Sequence, residues 1–375
     1  MKNLKLEERK KVKVAILANN DGGLLNFRQE VVVALLNRNY EVVISVPNGK
    51  RIKDICALGC KVEITEISRR GINPIEDLRL LNHYLNLLNK EKPDVVLTYT
   101  IKPNIYGGLA CAIKSIPYIV NITGLGTAVE RSGILQKITV NLYKLAMRKA
   151  NCIFFQNKGN RTFFVKKNIR NDIHRLIPGS GANINKFQPA EYPTSGPIKF
   201  LFISRLMKEK GIEEYFVAAK HFRKLRNDVE FHILGACEED YLPQLNELES
   251  QGIVKYHDVQ KDVRPYLTEA SCLIHPTFYP EGMSNVILEA ASTARPVITT
   301  RRHGCMEAVD DGVTGFLFEE RDTQGLIDQI DKFLSMSIED RTEMGRKARA
   351  KMEQEFDRQI VVDAYLDEID KILKL

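Results

Sequence analysis

At 375 residues the chain is too long for one comfortable core and suits two domains. Its 44% hydrophobic and 27% charged residues describe a globular protein with a substantial core, and 8% aromatics argue against disorder. The net charge of +7 is unevenly spread: residues 1–190 hold 31 Lys and Arg against 14 Asp and Glu, or +17, and the remainder 24 against 34, or −10. The first half is therefore expected to face an anion, whether nucleic acid, a phosphorylated substrate or an acidic membrane surface.

The N-terminal stretch MKNLKLEERKKVKVAILANN is basic, but the apolar segment behind it is too short for a signal sequence. No apolar run approaches the ~18 residues of a membrane span, so an intracellular chain is expected. The first half then alternates the β-rich blocks VKVAILAN, YEVVISVP, CKVEITEI, DVVLTYT, YIVNIT and NCIFFQN with helical patterns such as LLNFRQEVVVALLNRN, IEDLRLLNHYLNLLNKE and GILQKITVNLYKLAMRKA. Near-continuous apolar strands separated by helices imply a parallel sheet buried on both faces. In the first strand-to-helix loop, Gly22 and Gly23 permit close backbone approach to a ligand, and a tight turn accounts for them equally well. The polar loop 120–133 after YIVNIT carries Asn121, Thr123 and Glu130 with Gly124 and Gly126, and suits either acceptor recognition or a plain connection.

Three prolines, a Gly and a Ser gather without periodicity in KFQPAEYPTSGP, residues 186–197, the expected linker. Beyond it the pattern restarts with strands IKFLFIS, VEFHILG, GIVKYHD, SCLIHPT and RPVITT separated by helices, a second doubly wound domain. The expected division is a domain over 1–190, a second over 191–355, and an amphipathic helix over 356–375 packing back on the first. Two such domains leave a cleft at the carboxyl ends of their strands, where ligands of such folds bind.

Chemistry-bearing residues cluster in the second domain. Arg205 follows IKFLFIS directly and Lys210 precedes the next helix, so two cations at one loop mouth can neutralise a diphosphate, or simply be solvated. In HPTFYPEGMSNVILEAASTARPVITT, Glu281 lies just before a helix and Glu289 in its second turn. The amides of Gly282, Met283 and Ser284 are expected to point outward as an anion site, with carboxylates beside it for sugar and ribose hydroxyls. A plainer reading makes Glu281 a helix N-terminal charge and Glu289 a partly exposed helix residue. His275 and His303 read as hydrogen-bonded structure, and the seven cysteines as reduced, buried thiols. No Asp-x-Asp pair for a divalent metal occurs, nor a P-loop or G-x-S-x-G.

SRLMKEKG, followed about seventy residues later by PEGMSNVILEA, resembles the donor signature of glycosyltransferase family 4, retaining enzymes of the GT-B fold. The Glu281-x7-Glu289 pair, Arg205 with Lys210, DDGVTGFLF and the early Gly-Gly loop fall in the order that family shows, across nearly the whole chain. The resemblance implies two Rossmann-like domains facing a central cleft. It makes Arg205, Lys210 and Glu281 the catalytic group, and assigns donor binding to Gly22, Gly23, Gly282, Met283, Ser284, Asn285 and Glu289. Glu289 would take the ribose hydroxyls, and Glu281 would position the sugar without becoming a covalent nucleophile. Neither a cofactor nor an essential metal is expected. Many relatives carry a histidine where this chain has NITGLGTAVE, so Asn121, Thr123 and Glu130 become the substitutes.

The GLG loop and TVNLYKLAMRKANCIFFQN further resemble a subgroup that builds capsule, O-antigen or glycan precursors on undecaprenyl diphosphate. Its members imply a UDP-sugar donor, N-acetylhexosamine above all, a lipid-linked saccharide acceptor, and a cytoplasmic protein resting peripherally on the anionic inner face of the membrane, with no nucleic-acid partner. For that contact Lys137, Lys144 and Arg148 share a helical face expected opposite Ile134, Leu142 and Leu145, and Phe163 and Phe164 lie beside Lys166, Lys167 and Arg170. A sugar-nucleotide epimerase and a non-catalytic partner subunit are the alternatives.

Overall fold

Polar residues are almost missing from the central strands, and this dictates the architecture. In the computed structural model, which describes residues 11–67, 73–126 and 133–375, β4 (Val95–Tyr99), β5 (Tyr118–Ile122) and β6 (Cys152–Phe155) are buried at every residue. Side chains alternate between the faces of a strand, so such blocks need helices on both sides and pair in parallel. With β1 (Lys13–Leu17), β2 (Glu41–Val46), β3 (Lys61–Ile64) and β7 (His174–Leu176) they form a parallel sheet in the order β3-β2-β1-β4-β5-β6-β7. Alternation is visible in β1, where Val14 and Ile16 join one core cluster and Ala15 and Leu17 the other.

The second sheet joins β8 (Ile198–Ile203), β9 (Val229–Leu234), β10 (Lys255–Tyr256), β11 (Cys272–His275), β12 (Val297–Thr300) and β13 (Gly315–Phe318), all parallel, in the order β10-β9-β8-β11-β12-β13. In both sheets the succession of strands reverses once, between β1 and β4 and between β8 and β11. At such a switch point neighbouring strand-to-helix loops run in opposite directions and open a crevice.

The chain divides into a unit of the residues up to Ile177 with Val361–Leu375, and a second unit, Pro178–Ile360. This corrects the expected linker. Within the second unit Phe187 and Tyr192 are buried, the Arg295 guanidinium donates to the carbonyls of Ala190 (3.1 Å) and Glu191 (2.7 Å), and Arg349 donates to that of Phe187 (2.7 Å). Two arginines satisfy the carbonyls of a segment too irregular to pair with itself, so the proline-rich stretch is a strap on a core.

The final helix, Arg358–Leu373, sends Val361, Val362, Tyr365 and Ile369 into the first unit's core. The Tyr365 ring lies 4.8 Å from that of Phe154, and its hydroxyl donates to the Asn121 side chain. The Arg28 guanidinium, 3% exposed, sits over the rings of Tyr99 (5.5 Å) and Tyr365 (6.0 Å). None of the cysteines is bridged; five are buried, whereas Cys56 is exposed and Cys237 half-buried, against the expectation for those two.

Candidate active site at the second switch point

The loop after β8 places its cations by one backbone requirement. Gly211 holds φ 77°, and a Cβ there would run into the carbonyl oxygen of Pro276, so only glycine allows this loop to meet the one after β11. The two loops are then stitched together: the Thr277 hydroxyl (3.2 Å) and the Phe278 N–H (2.9 Å) both donate to the Glu209 carbonyl. Lys210, 6% exposed, is thereby turned inward, its ammonium paired with the Glu281 carboxylate and 4.7 Å from the Tyr279 ring centre. Arg205 lies 5.5 Å from the same ring centre and donates to Glu238 (2.8 Å). Arg205, Lys210 and Glu281 thus converge, although more than seventy positions separate the first from the last.

Glu289 stands in the helix Asn285–Ser292. The residue keeps some exposed surface, yet its carboxyl is enclosed by protein, and burial pushes its pKa up to about 7 against the opposing pull of Lys186 and Arg358. His275, 1% exposed, is held well below the usual imidazole range by burial and by the neighbouring Lys210 charge. Its Nε2 meets the Ser284 hydroxyl at 3.0 Å, the structural role expected of it.

Several expected contacts are corrected by hydrogen bonds the sequence does not show. The Ser284 N–H donates to the Gly304 carbonyl (2.8 Å), so it does not point outward at an anion. Met283 is 5% exposed and packed so tightly on Gly179 that no side chain fits there. Asn285 begins the helix with its side-chain oxygen buried and without a hydrogen-bond partner. In the first unit, the amides of Gly22 and Gly23 donate to the side chains of Asp21 (2.8 Å) and Asn20, so both serve the start of the helix Asp21–Asn37. Asn121 is 1% exposed, donates to the Thr98 carbonyl (3.0 Å) and accepts from Tyr365; it is a core strut, not an acceptor-loop group. Thr123 follows β5 half-buried, and Glu130 lies outside the described residues. Sequence reasoning missed Tyr279 and Glu238, since an aromatic and an acid in separate loops carry no spacing signal. It also missed a cavity of about 740 Å³ whose lining includes His232, His257 and Tyr266, beside β10.

Two family models account for most of the chain: residues 13–157 match a glycosyl transferase 4-like model, and residues 197–336 match glycosyl transferases group 1. The chain belongs to the family 4-like glycosyltransferases. This glycosyltransferase is 25% identical, over 97% of its length and 100% of the relative's, to the N,N'-diacetylbacillosaminyl-diphospho-undecaprenol alpha-1,3-N-acetylgalactosaminyltransferase of Campylobacter jejuni. It is 26% identical to the Escherichia coli UDP-Gal:alpha-D-GlcNAc-diphosphoundecaprenol alpha-1,3-galactosyltransferase, over 70% of this chain and 71% of that enzyme. Among solved structures, a Rickettsia africae glycosyltransferase superposes with TM-score 0.80 at 18% identity, covering 97% of this chain and 99% of its own. Anabaena HepE, crystallised with UDP and glucose, superposes with TM-score 0.79 at 20% identity, covering 96% and 100%. The fold of the glycosyltransferase is therefore GT-B, with two parallel-sheet Rossmann-like domains.

Proposed function

We propose that this glycosyltransferase moves an N-acetylhexosamine from a UDP-sugar to an undecaprenyl-diphosphate-linked saccharide during assembly of a bacterial surface polysaccharide or glycan. The observation that carries this reading is the pair Arg205 and Lys210 over one ring, with Glu281 beside them, at the β8/β11 switch point. The bond from the anomeric carbon to the diphosphate oxygen breaks, and two fixed cations stabilise the departing charge. A bond to the acceptor hydroxyl oxygen forms on the same face of the sugar, and the acceptor proton passes to the leaving phosphate oxygen. Configuration is retained, and no metal ion is required where side chains neutralise the diphosphate. Glu281 accepts hydrogen bonds from the sugar hydroxyls, its charge balanced by Lys210. The names of the Campylobacter and Escherichia relatives and the UDP held by HepE support donor and acceptor class.

The cytoplasmic membrane face is the proposed location. Among the described residues no helix is long and apolar enough to cross a membrane. The helix Ile134–Ala146 buries Thr139, Val140, Tyr143 and Ala146 and leaves Ile134, Ile138 and Leu145 exposed at 79, 52 and 54%. Of the expected apolar set, Ile134, Leu142 and Leu145, Leu142 is half-buried. Ile134, Ile138 and Leu145 form a stripe next to Lys137 and Lys144, not opposite them, with Arg148 just past the helix end, which is the arrangement of an interfacial helix. Phe164 is fully buried and takes no part.

The test is UDP release from a panel of UDP-sugars by purified protein, with and without an undecaprenyl-diphosphate-linked amino sugar, in EDTA. Acceptor-dependent release from one donor is expected, unaffected by the chelator, and Glu281→Ala should lower it by at least about 100-fold while keeping a cooperative melt at a midpoint lowered by the unpaired Lys210. A fully active E281A would remove the site assignment, and epimerised UDP-sugar without release would establish the epimerase.

A further inference from the structure

Two long cations lie against one aromatic ring in this site. Lys210 and Arg205 repel each other, and each already has a carboxylate at hand, Glu281 and Glu238. Left to those acids alone, the cations would be drawn toward separate loops. The Tyr279 ring attracts both, at 4.7 and 5.5 Å, and its phenol oxygen also accepts from Arg205, while no Lys210 donor is taken up by the ring. The backbone that carries the ring is mounted firmly. Its residue's carbonyl accepts from Arg302 Nε (2.7 Å) and from the Glu281 N–H (2.8 Å), its N–H donates to the Thr277 hydroxyl (3.1 Å), and Arg302 is pinned by Glu320 (2.8 Å).

We propose that Tyr279 is a positioning residue whose ring presets Arg205 and Lys210 as a clamp for the two phosphates of a nucleoside diphosphate. A carboxylate that holds a cation competes with phosphate for its hydrogens; a π-face does not. The ring therefore holds both side chains in place while sparing every donor that Glu281 and Glu238 do not take, save one of Arg205. This deepens the donor reading above and rests on it.

Calorimetric titration of UDP and of inorganic pyrophosphate into wild type, Y279F and Y279L tests the proposal, with donor and acceptor KM measured alongside. Y279F keeps the face but loses the hydroxyl contact to Arg205 and should bind UDP within about 3-fold of wild type, whereas Y279L, apolar but without a face, should bind both ligands about 10-fold more weakly. Donor KM should rise in Y279L and acceptor KM should not, a split that general damage to packing would not produce. Y279L binding UDP as wild type does, or Y279F as weak as Y279L, would overturn the proposal. Should Y279L fail to fold, Y279M makes the same comparison. Wild type that binds pyrophosphate but not UDP would instead refute the donor assignment, and the pyrophosphate ratio would still judge the clamp.

Discussion

A carboxylate whose pKa burial has raised to about 7 couples function and stability with opposite signs, and Glu289 is that residue. Its ordinary value lies near 4.5, so between about pH 4.5 and 7 the folded chain binds more proton than the unfolded chain and stability falls as pH rises. The loss from this group is at most roughly 3 kcal/mol by pH 8. Glu289→Gln should flatten that slope in urea midpoints compared at pH 5 and pH 8. The proposed ribose contact needs the charged form, so the wild-type donor KM should fall as pH rises through about 7, and in E289Q it should not. At this scale the sequence was readable where chemistry and order suffice: Arg205, Lys210 and Glu281 meet as their motifs imply. It failed where a distant partner decides the role. The amide of Ser284 answers to Gly304 and the side chain of Asn121 to Tyr365, and neither partner is marked by local pattern.

Secondary structure was legible wherever a strand is buried on both faces, because an unbroken apolar run has no other comfortable place. It was least legible at the sheet edges. β7 is the half-covered HRL, and β10 pairs over only Lys255–Tyr256 of a longer apolar block. The helix Ile134–Ala146 shows the same limit from the other side, since the exposure of Ile138 and the half-burial of Leu142 are set by packing that its sequence does not show. Its contact with lipid is checked by cosedimentation with vesicles of phosphatidylglycerol and phosphatidylcholine. The wild type should bind anionic vesicles and not pure phosphatidylcholine. I134S/I138S/L145S should lose about 10-fold or more in partitioning, and K137Q/K144Q/R148Q about 100-fold at low salt, at roughly 1 kcal/mol per charge. UDP binding should be unchanged in both. Equal binding by all three proteins would assign the stripe to another partner.

The two-unit organisation was legible as a restart of the strand pattern, but its boundary was not. Prolines without periodicity look alike in a linker and in a strap, and the buried Phe187 and Tyr192 with the partners Arg295 and Arg349 distinguish them. The contribution of the last helix is large, because Val361, Tyr365 and Ile369 are each fully buried in the first unit. Ending the chain at Ile360 should cost more than about 5 kcal/mol, comparable to the whole stability of a domain. The first unit should then lose its cooperative melting transition in calorimetry while the transition of the second remains.

That helix is translated after the second unit, and synthesis at about 5–20 residues per second imposes a delay of roughly 10–40 s between Ile177 and Val361 leaving the ribosome. Throughout it the nascent first sheet has Phe154 and Tyr99 without their covering Tyr365, a sticky surface for a folding helper to shield. The second unit has all of its own residues as that delay ends. In the cell, the half of the molecule that is read first is the half that is finished last.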